Sequence, residues 1–362
     1  MKSASHSQKG LSLIEMMIAI SLGILLVGVV VSAYVAQSQV YKASQGQAAI
    51  QDADNAIAGL VGPTVRAAGF AGCSSISGAA SNLVPGGSPP LGNLANVSTG
   101  VMGYDASNTA GDGSTLSIAT DNANNDADPS HWSPSLDVQL AGHVLPGSDV
   151  LVVLGAVAGS APTALTSGAG VAAGPLQVKD ASAIAPGQFA AISDCGKSTI
   201  FLNTGAAISQ TTIARDAGAA ALTNAAATFP VNYGVGAQVI PLSQTAFFVS
   251  HTDADQSALM RATLTTTGWN IEQLVPGVES MQVLYGSNAN FVIAQYVPAG
   301  AVTDWTAVSS VRLSFLIEGR AGSGTGAAAS PYTLLGTAVT PPADTRLRHV
   351  YEMTINLRNA TS

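Results

Sequence analysis

The pattern of apolar and polar positions changes twice along the chain, which divides it into three parts. The first part is a continuous apolar run, since residues 16–36 contain no charged side chain. At about 1.5 Å per residue, these 21 positions form a helix of roughly 32 Å, which matches the hydrocarbon core of a bilayer. The pattern therefore predicts one membrane-spanning helix.

Helical spacing continues beyond the apolar run, but on one face only. Apolar positions recur there mostly at steps of three or four residues: Ile50, Ala53, Ile57, Leu60 or Val61, and Ala68. Polar residues lie between them, which is typical of a helix that docks one face onto a sheet. We expect Pro63 to bend or interrupt this helix, and Gly69 and Gly72 to end it.

From about residue 114 the pattern is that of short strands separated by turns. Val311, Leu313 and Phe315, for example, alternate with polar residues. The predicted strands are TLSIAT (115–120), DVLVVLGAV (149–157), GQFAAIS (187–193), STIFLN (198–203), AQVIPL (237–242), TAFFVS (245–250), ALMRATLT (258–265), GWNIEQLV (268–275), MQVLYG (281–286), VSSVRLSFLIEG (308–319) and RHVYEMTINLR (348–358). Residues 204–228 read as a loop or insertion. The predicted fold class is α+β, with a long N-terminal transmembrane and amphipathic helix packed on a β-rich globular head.

Composition narrows the classes of function. The chain has 362 residues, of which 47% are hydrophobic and only 9% charged, whereas a soluble domain carries roughly 25% charged residues. So little charge excludes a nucleic-acid-binding arm, a coiled-coil rod and a charge-rich disordered chain. The formal net charge of −8, from 13 basic and 21 acidic residues, argues against a polyanionic partner, so we expect no nucleic acid.

Charges around the apolar run predict its orientation. Lys2 and Lys9 precede the run and no comparable basic cluster follows it, so the amino terminus should stay cytoplasmic and the rest should be exported. Glu15 is the only charge between Leu11 and Tyr41. A carboxylate there is costly in lipid unless it has a partner. Glu15 either reaches the membrane surface or forms a specific pair.

Residues 10–15, GLSLIE, resemble the class III signal of type IV pilins and type II secretion pseudopilins. The resemblance implies that a prepilin peptidase cuts between Gly10 and Leu11 and methylates Leu11. It also implies that Glu15 pairs with the terminal amine of a neighbouring subunit during assembly. Leu11 stands where Phe is commoner in the family, and Ser32 stands where many major pilins have a helix-kinking proline, which predicts a straighter helix here.

Later segments narrow the resemblance to PilW-type minor pilins. They are AAGFAGC (67–73), GSDVLVVLG (147–155), ISDCGKSTIFLNT (192–204), GVESMQVLYG (277–286), VSSVRLSFLIEGR (308–320) and RHVYEMTINLRN (348–359). The family's role implies a low-abundance subunit, not an enzyme, that helps to start the type IV pilus and lies near its tip. A J-class pseudopilin of a type II secretion system, or a tip adhesin or DNA-binding module, are the alternatives.

The resemblance also implies a domain organisation and a set of partners. Residues 1–10 would be the leader peptide, 11–36 the transmembrane half of the helix, 37–68 its amphipathic half and 69–362 the periplasmic head. The implied partners are other minor pilins, the major pilin, prepilin peptidase and inner-membrane lipid, with a tip adhesin as a further candidate. The protein would begin in the inner membrane and end in the pilus. The charge-free spans 67–104, 150–178 and 217–252 would pack against neighbouring pilins or form uncharged loops.

The two cysteines, Cys73 and Cys195, lie 122 positions apart and form no metal-binding motif. Export favours a disulfide between them, and closing so long a loop would contribute about 4 to 5 kcal/mol on the chain-entropy model. Two free buried thiols are the alternative.

Other candidate sites are weak, and we predict no cofactor and no catalytic residue. Asp121, Asn124, Asp126 and Asp128 offer oxygen ligands for Ca²⁺ but lack the spacing of an EF-hand loop. Residues 191–198 resemble a relaxed phosphate-binding loop, although a strand pattern follows where that loop needs a helix.

The remaining polar candidates read as ordinary surface or core residues. The histidines of the exported part are scattered without metal-ligand spacing: His131, His143, His251 and His349. Arg346, Arg348 and Arg358 cluster near the carboxyl terminus and could touch DNA or lipid headgroups. The acidity of the chain makes solvated charge the better interpretation of these arginines.

Overall fold

The structure is a computed structural model that describes residues 12–76, 78–85, 99–107, 115–117, 125–218, 222–252, 256–289, 292–324, 326 and 330–359. One long helix, α1 (Leu13–Arg66), leads into a strand-rich head. The predicted fold class is confirmed.

The helix runs without a break through both predicted halves. Pro63 lies inside its last turn, so the prediction that this proline interrupts the helix is wrong. A proline this close to the end removes one hydrogen bond, and the Ala67 N–H still reaches the Pro63 carbonyl at 3.0 Å. The chain then turns at Gly69 and Gly72, whose φ angles of 75° and 92° are in the left-handed region.

The two halves of α1 differ completely in burial. The apolar face predicted for the carboxyl-terminal part of the helix, beyond Gly46, is confirmed. Val61 lies on this face, whereas Leu60 is 41% exposed. The buried positions of the helix are Gly46, Ile50, Ala53, Ile57, Val61, Gly62 and Val65. Below Gly46 no residue of the helix is buried, in the part that the structure describes.

The described strands of the head are numbered in chain order. They are β1 (Ala80–Ser81), β2 (Leu83–Pro85), β3 (Val101–Ala106), β4 (Thr115–Ser117), β5 (Trp132–Ser133), β6 (Val150–Ala156), β7 (Thr163–Ala164), β8 (Leu176–Gln177), β9 (Phe189–Ser193), β10 (Ser198–Leu202), β11 (Thr212–Ile213), β12 (Leu222–Asn224), β13 (Gln238–Thr252), β14 (Gln256–Thr265), β15 (Gly268–Pro276), β16 (Val278–Ala289), β17 (Val292–Val297), β18 (Val308–Glu318), β19 (Tyr332–Leu334), β20 (Thr337–Thr340) and β21 (Arg348–Asn356).

Two sheets make most of the head. The larger has the order β1-β10-β9-β13-β6-β3-β5, and the long strand β13 also pairs with β7 and β14, which in turn pairs with β15. The smaller is antiparallel, with the order β17-β16-β18-β21. The buried face of α1 packs with apolar residues of both sheets, among them Phe247, Met281 and Phe315, in one core.

The segment between β6 and β13, here called the inserted module, adds β9 and β10 to the larger sheet and contains an apolar core separate from the one under α1. Phe201, Phe229 and Tyr233 pack edge to face at centroid distances of 5.3 and 5.8 Å. Residues 204–218 and 222–228 contribute β11 and β12 to this region, and residues 191–198 form the β9–β10 hairpin and not a phosphate loop. The predicted loop at 204–228 therefore contains two short strands.

Two of the charge-free spans contain strands that form the interior of the head. β6 and β13 lie in the spans 150–178 and 217–252, and their side chains are mostly buried within the chain itself. The expectation that these spans pack on neighbouring subunits is wrong for these two strands, because a central strand buried on both faces excludes charge.

Candidate functional site

The start of α1 is held by a reciprocal cap. Ser12, with φ −73° and ψ 149°, is the N-cap residue, and its Oγ accepts a hydrogen bond from the Glu15 N–H at 3.3 Å. The Ser12 N–H and Oγ both donate to Glu15 Oε2, at 2.9 and 3.0 Å. The cap satisfies unpaired N–H groups and places a carboxylate at the positive end of the helix dipole. Gly10 and Leu11 lie outside the described residues.

The lower half of α1 presents a long apolar surface. Every large apolar residue from Leu13 to Tyr41 is exposed, including Leu25 at 66% and Tyr34 at 72%. The helix is long and apolar enough to cross a membrane, and none of its most apolar stretch is buried inside the chain. A patch of this size needs a cover of lipid or protein.

The upper half begins where the helix meets the loop after β18 at very close range. A Cβ on Gly46 would lie 2.3 Å from the Ser323 Cβ, and a Cβ on Gly319 would lie 3.3 Å from the Gly46 Cα. Only glycine fits at position 46, because real Cβ atoms do not approach other heavy atoms so closely. Sequence reasoning missed this contact, since nothing local distinguishes Gly46 from Gly59.

A buried ionic cluster lies beside this contact. Arg348 donates from Nε and Nη2 to Glu279 at 2.7 and 2.8 Å, and from Nη1 and Nη2 to Asp344 at 2.8 and 2.9 Å. Arg346 donates from Nη1 to Glu318 at 3.0 Å. The side chain of Arg348 is 4% exposed. The prediction of solvated charge is therefore wrong for Arg348, whose planar guanidinium is paired on two sides.

The cluster contains three carboxyl groups and two guanidinium groups, so its charges do not balance unless a proton is added. Burial, with the nearby Glu279 charge as a second cause, raises the pKa of Glu318 to about 8. Glu318 therefore keeps its proton at neutral pH, which makes the cluster electrically neutral.

A weaker polar contact joins α1 to β21. Asp54 Oδ2 lies 3.8 Å from His349 Nε2, and burial raises the pKa of Asp54 while the His349 charge opposes the rise. Arg358, the third arginine of the carboxyl-terminal group, is exposed, and its N–H meets the Arg66 carbonyl at the top of the helix at 3.4 Å.

The predicted disulfide is present in the structure. Cys73 and Cys195 are bonded, with their Cα atoms 4.8 Å apart. The bond ties the segment that follows α1 to the β9–β10 hairpin, so it links the helix end to the inserted module.

The candidate calcium residues are not gathered into a site in the described part of the chain. Asp121 and Asn124 lie outside that part. Asp126 Oδ2 lies 2.6 Å from His131 Nδ1, and Asp128 Oδ1 caps the Ser130 N–H at 2.9 Å. No three His, Cys, Asp or Glu side chains among the described residues could hold one ion together. The other histidines lie on separate elements.

Two comparisons with known protein families agree with the exposed lower half of α1 and with the strands that pack on its upper half. Residues 246–359 match the family described as "Type IV Pilus-assembly protein W", and residues 5–31 match the "Prokaryotic N-terminal methylation motif". Its start and its carboxyl-terminal third are those of a PilW-type minor pilin. The predicted family is thus confirmed.

Other comparisons are more distant. The type IV-like pilin TTHA1219 from Thermus thermophilus is similar in structure over 33% of this chain and 68% of its own, at 19% identity and a TM-score of 0.21. The search of curated proteins found no match. In this PilW-type chain the family match covers most of the sheet region that packs on α1, whereas the inserted module lies outside it.

Proposed function

We propose that this PilW-type subunit waits in the inner membrane and then enters the pilus, where it helps to start assembly and stays near the tip. The observation that carries the proposal is the uncovered half of α1, whose large apolar side chains from Leu13 to Tyr41 are all exposed. Lipid covers this surface before assembly, and helices of other minor pilins and of the major pilin cover it afterwards. The head then lies in the periplasm, in keeping with the basic residues Lys2 and Lys9 on the other side.

Processing prepares the lower end of the helix for this exchange. Cleavage between Gly10 and Leu11 by prepilin peptidase leaves a new amine, which is methylated, one residue before the Ser12 cap. The motif match over residues 5–31 supports this position of the cut.

Glu15 sets how far this subunit is displaced along the filament axis relative to its neighbour. Its carboxylate is held by the Ser12 N–H and Oγ, which lowers the cost of carrying a charge at the membrane edge before a partner arrives. The terminal amine of a neighbouring pilin then gives Glu15 a charged partner, which a neutral donor cannot match.

The experiment is complementation of a pilus-forming cell that lacks its own PilW-type subunit. Replacing Gly10 by valine should leave the uncut chain in the membrane, as measured by intact mass. Glu15→Gln should be cut and inserted normally but should give few surface pili, counted by electron microscopy. Glu352→Gln, at an exposed carboxylate of the head, is the matched control.

Two results would contradict the proposal. If the Gly10 variant ran at the mature mass, the cleavage site would lie elsewhere. If Glu15→Gln assembled as well as Glu352→Gln, Glu15 would have no role in register. Co-purification with secretion pseudopilins and not with pilus subunits would instead favour the J-class alternative.

A further inference from the structure

The inserted module buries an arginine that forms no ion pair in the described part of the chain. Arg215 is 2% exposed, and its Cζ lies 4.2 Å from the centroid of the Phe229 ring. Its Nε donates to the Gly174 carbonyl at 3.0 Å, and its Nη2 donates to the Ala172 carbonyl at 2.7 Å. Nη1 and Nη2 both donate to the Gly170 carbonyl at 3.3 Å. An arginine has five N–H groups, so one N–H on Nη1 has no acceptor among the described residues.

The carbonyls that hold Arg215 belong to a loop that lines a cavity of about 310 Å³, here called the module cavity. It is lined by residues 168–175, Arg215, Asn232 and Tyr233. Asn232 Oδ1 accepts a hydrogen bond from the Val171 N–H at 3.2 Å. A Cβ on Gly170 would lie 2.2 Å from Asn232 Oδ1, so only glycine fits there. Arg215 and Asn232 therefore contact the same short stretch of the loop from its two sides.

The module cavity offers several hydrogen-bond donors that the chain leaves unused. The backbone N–H groups of Ala172, Ala173 and Gly174 form no hydrogen bond among the described residues. The Asn232 Nδ2 likewise has no acceptor there, and Arg215 adds the remaining N–H on its Nη1. Unpaired N–H groups around a concave surface favour an anion or another acceptor.

The charge of the module cavity is also unbalanced. Among the described residues that line it, Arg215 is the only charged one. Asp216 attracts Arg215 electrostatically, but it is exposed and lies outside the lining. A buried charge without a charged partner is costly. An anion that enters the cavity would therefore bind a positive group inside a chain that is acidic as a whole.

We propose that the module cavity binds a small carboxylate that is rich in oxygen acceptors, and that sugar acids such as hexuronic acids are the class that fits. The carboxylate would accept from Arg215 Nη1 and Asn232 Nδ2 in charge-assisted hydrogen bonds. The ring and hydroxyl oxygens would accept from the N–H groups of residues 172–174. The volume is at the lower end of small-molecule sites, which suits one sugar ring. The inference does not depend on the role of α1, because every residue that carries it lies in the inserted module.

The test is isothermal titration calorimetry of the full chain in detergent micelles, with sodium glucuronate as the probe. Glucuronate should bind at one site per chain. Glucose, which has the ring but not the carboxylate, should give no saturable heat. Sodium sulfate at the same concentration should compete only weakly, because it lacks the ring oxygens that reach the N–H groups of the loop.

Asn232→Asp is the first variant, since aspartate keeps an oxygen for the Val171 N–H but replaces the Nδ2 donor by a negative charge. It should weaken glucuronate binding by about tenfold or more, because a hydrogen bond to a charged group is lost and a like charge is added. Ala173→Glu, which adds a carboxylate at an exposed position of the loop, should weaken binding in the same way. Asn270→Asp, at an exposed position of β15, is the matched control and should bind glucuronate like the unaltered chain.

Three results would overturn the inference: no binding of glucuronate, equal binding by Asn232→Asp and the unaltered chain, or equal weakening in Asn270→Asp. Competition by sulfate as strong as that by glucuronate would reduce the cavity to an unselective anion contact and overturn the assignment to sugar acids. Surface pili should be as numerous with Asn232→Asp as with the unaltered chain. A failure of the binding site is thereby distinguished from a failure of the proposed role in assembly.

Discussion

The lower and upper halves of α1 belong to one continuous helix, yet they depend on different surroundings. From Leu13 to Tyr41 the large apolar side chains are all exposed and need a cover of lipid or other helices. From Gly46 to Val65 one face is buried against two sheets, and buried charges lie beside it. The lower half thus has an apolar surface that the described part of the chain leaves exposed. The upper half is covered by residues from distant parts of the chain.

The difference indicates how the subunit combines a fixed head with a transferable anchor. The upper half can be rigid because its partners are within the same chain. On the proposed function, the lower half leaves lipid and enters a bundle of helices, so an apolar surface without directional bonds is suitable there. Perturbing the upper half should therefore cost stability of the head, whereas perturbing the lower half should change only the helix.

The largest effect is expected from Arg348→Met. This change leaves the buried Glu279 and the half-buried Asp344 without their guanidinium. Removing one partner of a buried ion pair costs about 3 to 5 kcal/mol. Denaturant unfolding of the full chain in detergent micelles, followed by tryptophan fluorescence, measures the loss. Arg358→Met, at an exposed arginine, should change stability by less than about 0.5 kcal/mol. Similar losses in both variants would show that Arg348 is not paired as described.

The next effect is a dependence on pH in the same cluster. The pKa of Glu318 is raised to about 8 from its ordinary 4.5, so the folded state holds a proton that the unfolded state releases. Its contribution to stability is present below pH 4.5 and is lost as the pH rises through 8. The free energy of unfolding should therefore fall by about 1 kcal/mol per pH unit between roughly pH 5 and 8.

Glu318→Gln should flatten this slope, because an amide keeps its hydrogens at every pH. Glu352→Gln is the control and should leave the slope unchanged. If the stability of Glu318→Gln still fell across the same pH range, the group that titrates there would not be Glu318.

Elements of the head could be predicted wherever burial is visible in local sequence. The run 308–319 alternates apolar and polar residues, and β18 spans Val308–Glu318. The local pattern predicts two separate strands at 237–242 and 245–250. They form the single strand β13, in which Pro241 lies opposite Ala190 and its carbonyl accepts a hydrogen bond from Val157.

The candidate site was only half predictable for the same reason. Ser12 and Glu15 lie three residues apart, so a local motif reveals their relation, whereas Arg348 finds Glu279 from 69 positions away. Local sequence gives the charge of an arginine but not its burial. The disulfide between Cys73 and Cys195 could be predicted because the chain offers no other pairing.

A smaller effect is expected from Gly46→Ala, which tests the close contact of α1 with the loop after β18, residues 319–324. The new Cβ would meet the Ser323 Cβ at 2.3 Å, and such overpacking costs about 1 to 3 kcal/mol. Gly59→Ala is the matched control, since no atom lies within 4 Å of its Cβ position. It should stabilise the helix by about 0.5 to 1 kcal/mol. Opposite signs in thermal unfolding would support the contact, and a gain in both variants would refute it.

The smallest effect should come from Ser12→Ala, at the end of α1 that the head does not touch. Losing the Oγ that caps the Glu15 N–H costs about 1 kcal/mol of local helix stability. Amide exchange of residues 13–16 in micelles should therefore become about fivefold faster, while the unfolding midpoint of the head stays the same. Ser21→Ala is the control, because the Ser21 Oγ only donates to the Met17 carbonyl within the helix, and it should leave the first turn unchanged. If Ser12→Ala also destabilised the head, the two halves of the helix would be coupled, and the lower half could not change its surroundings independently during assembly.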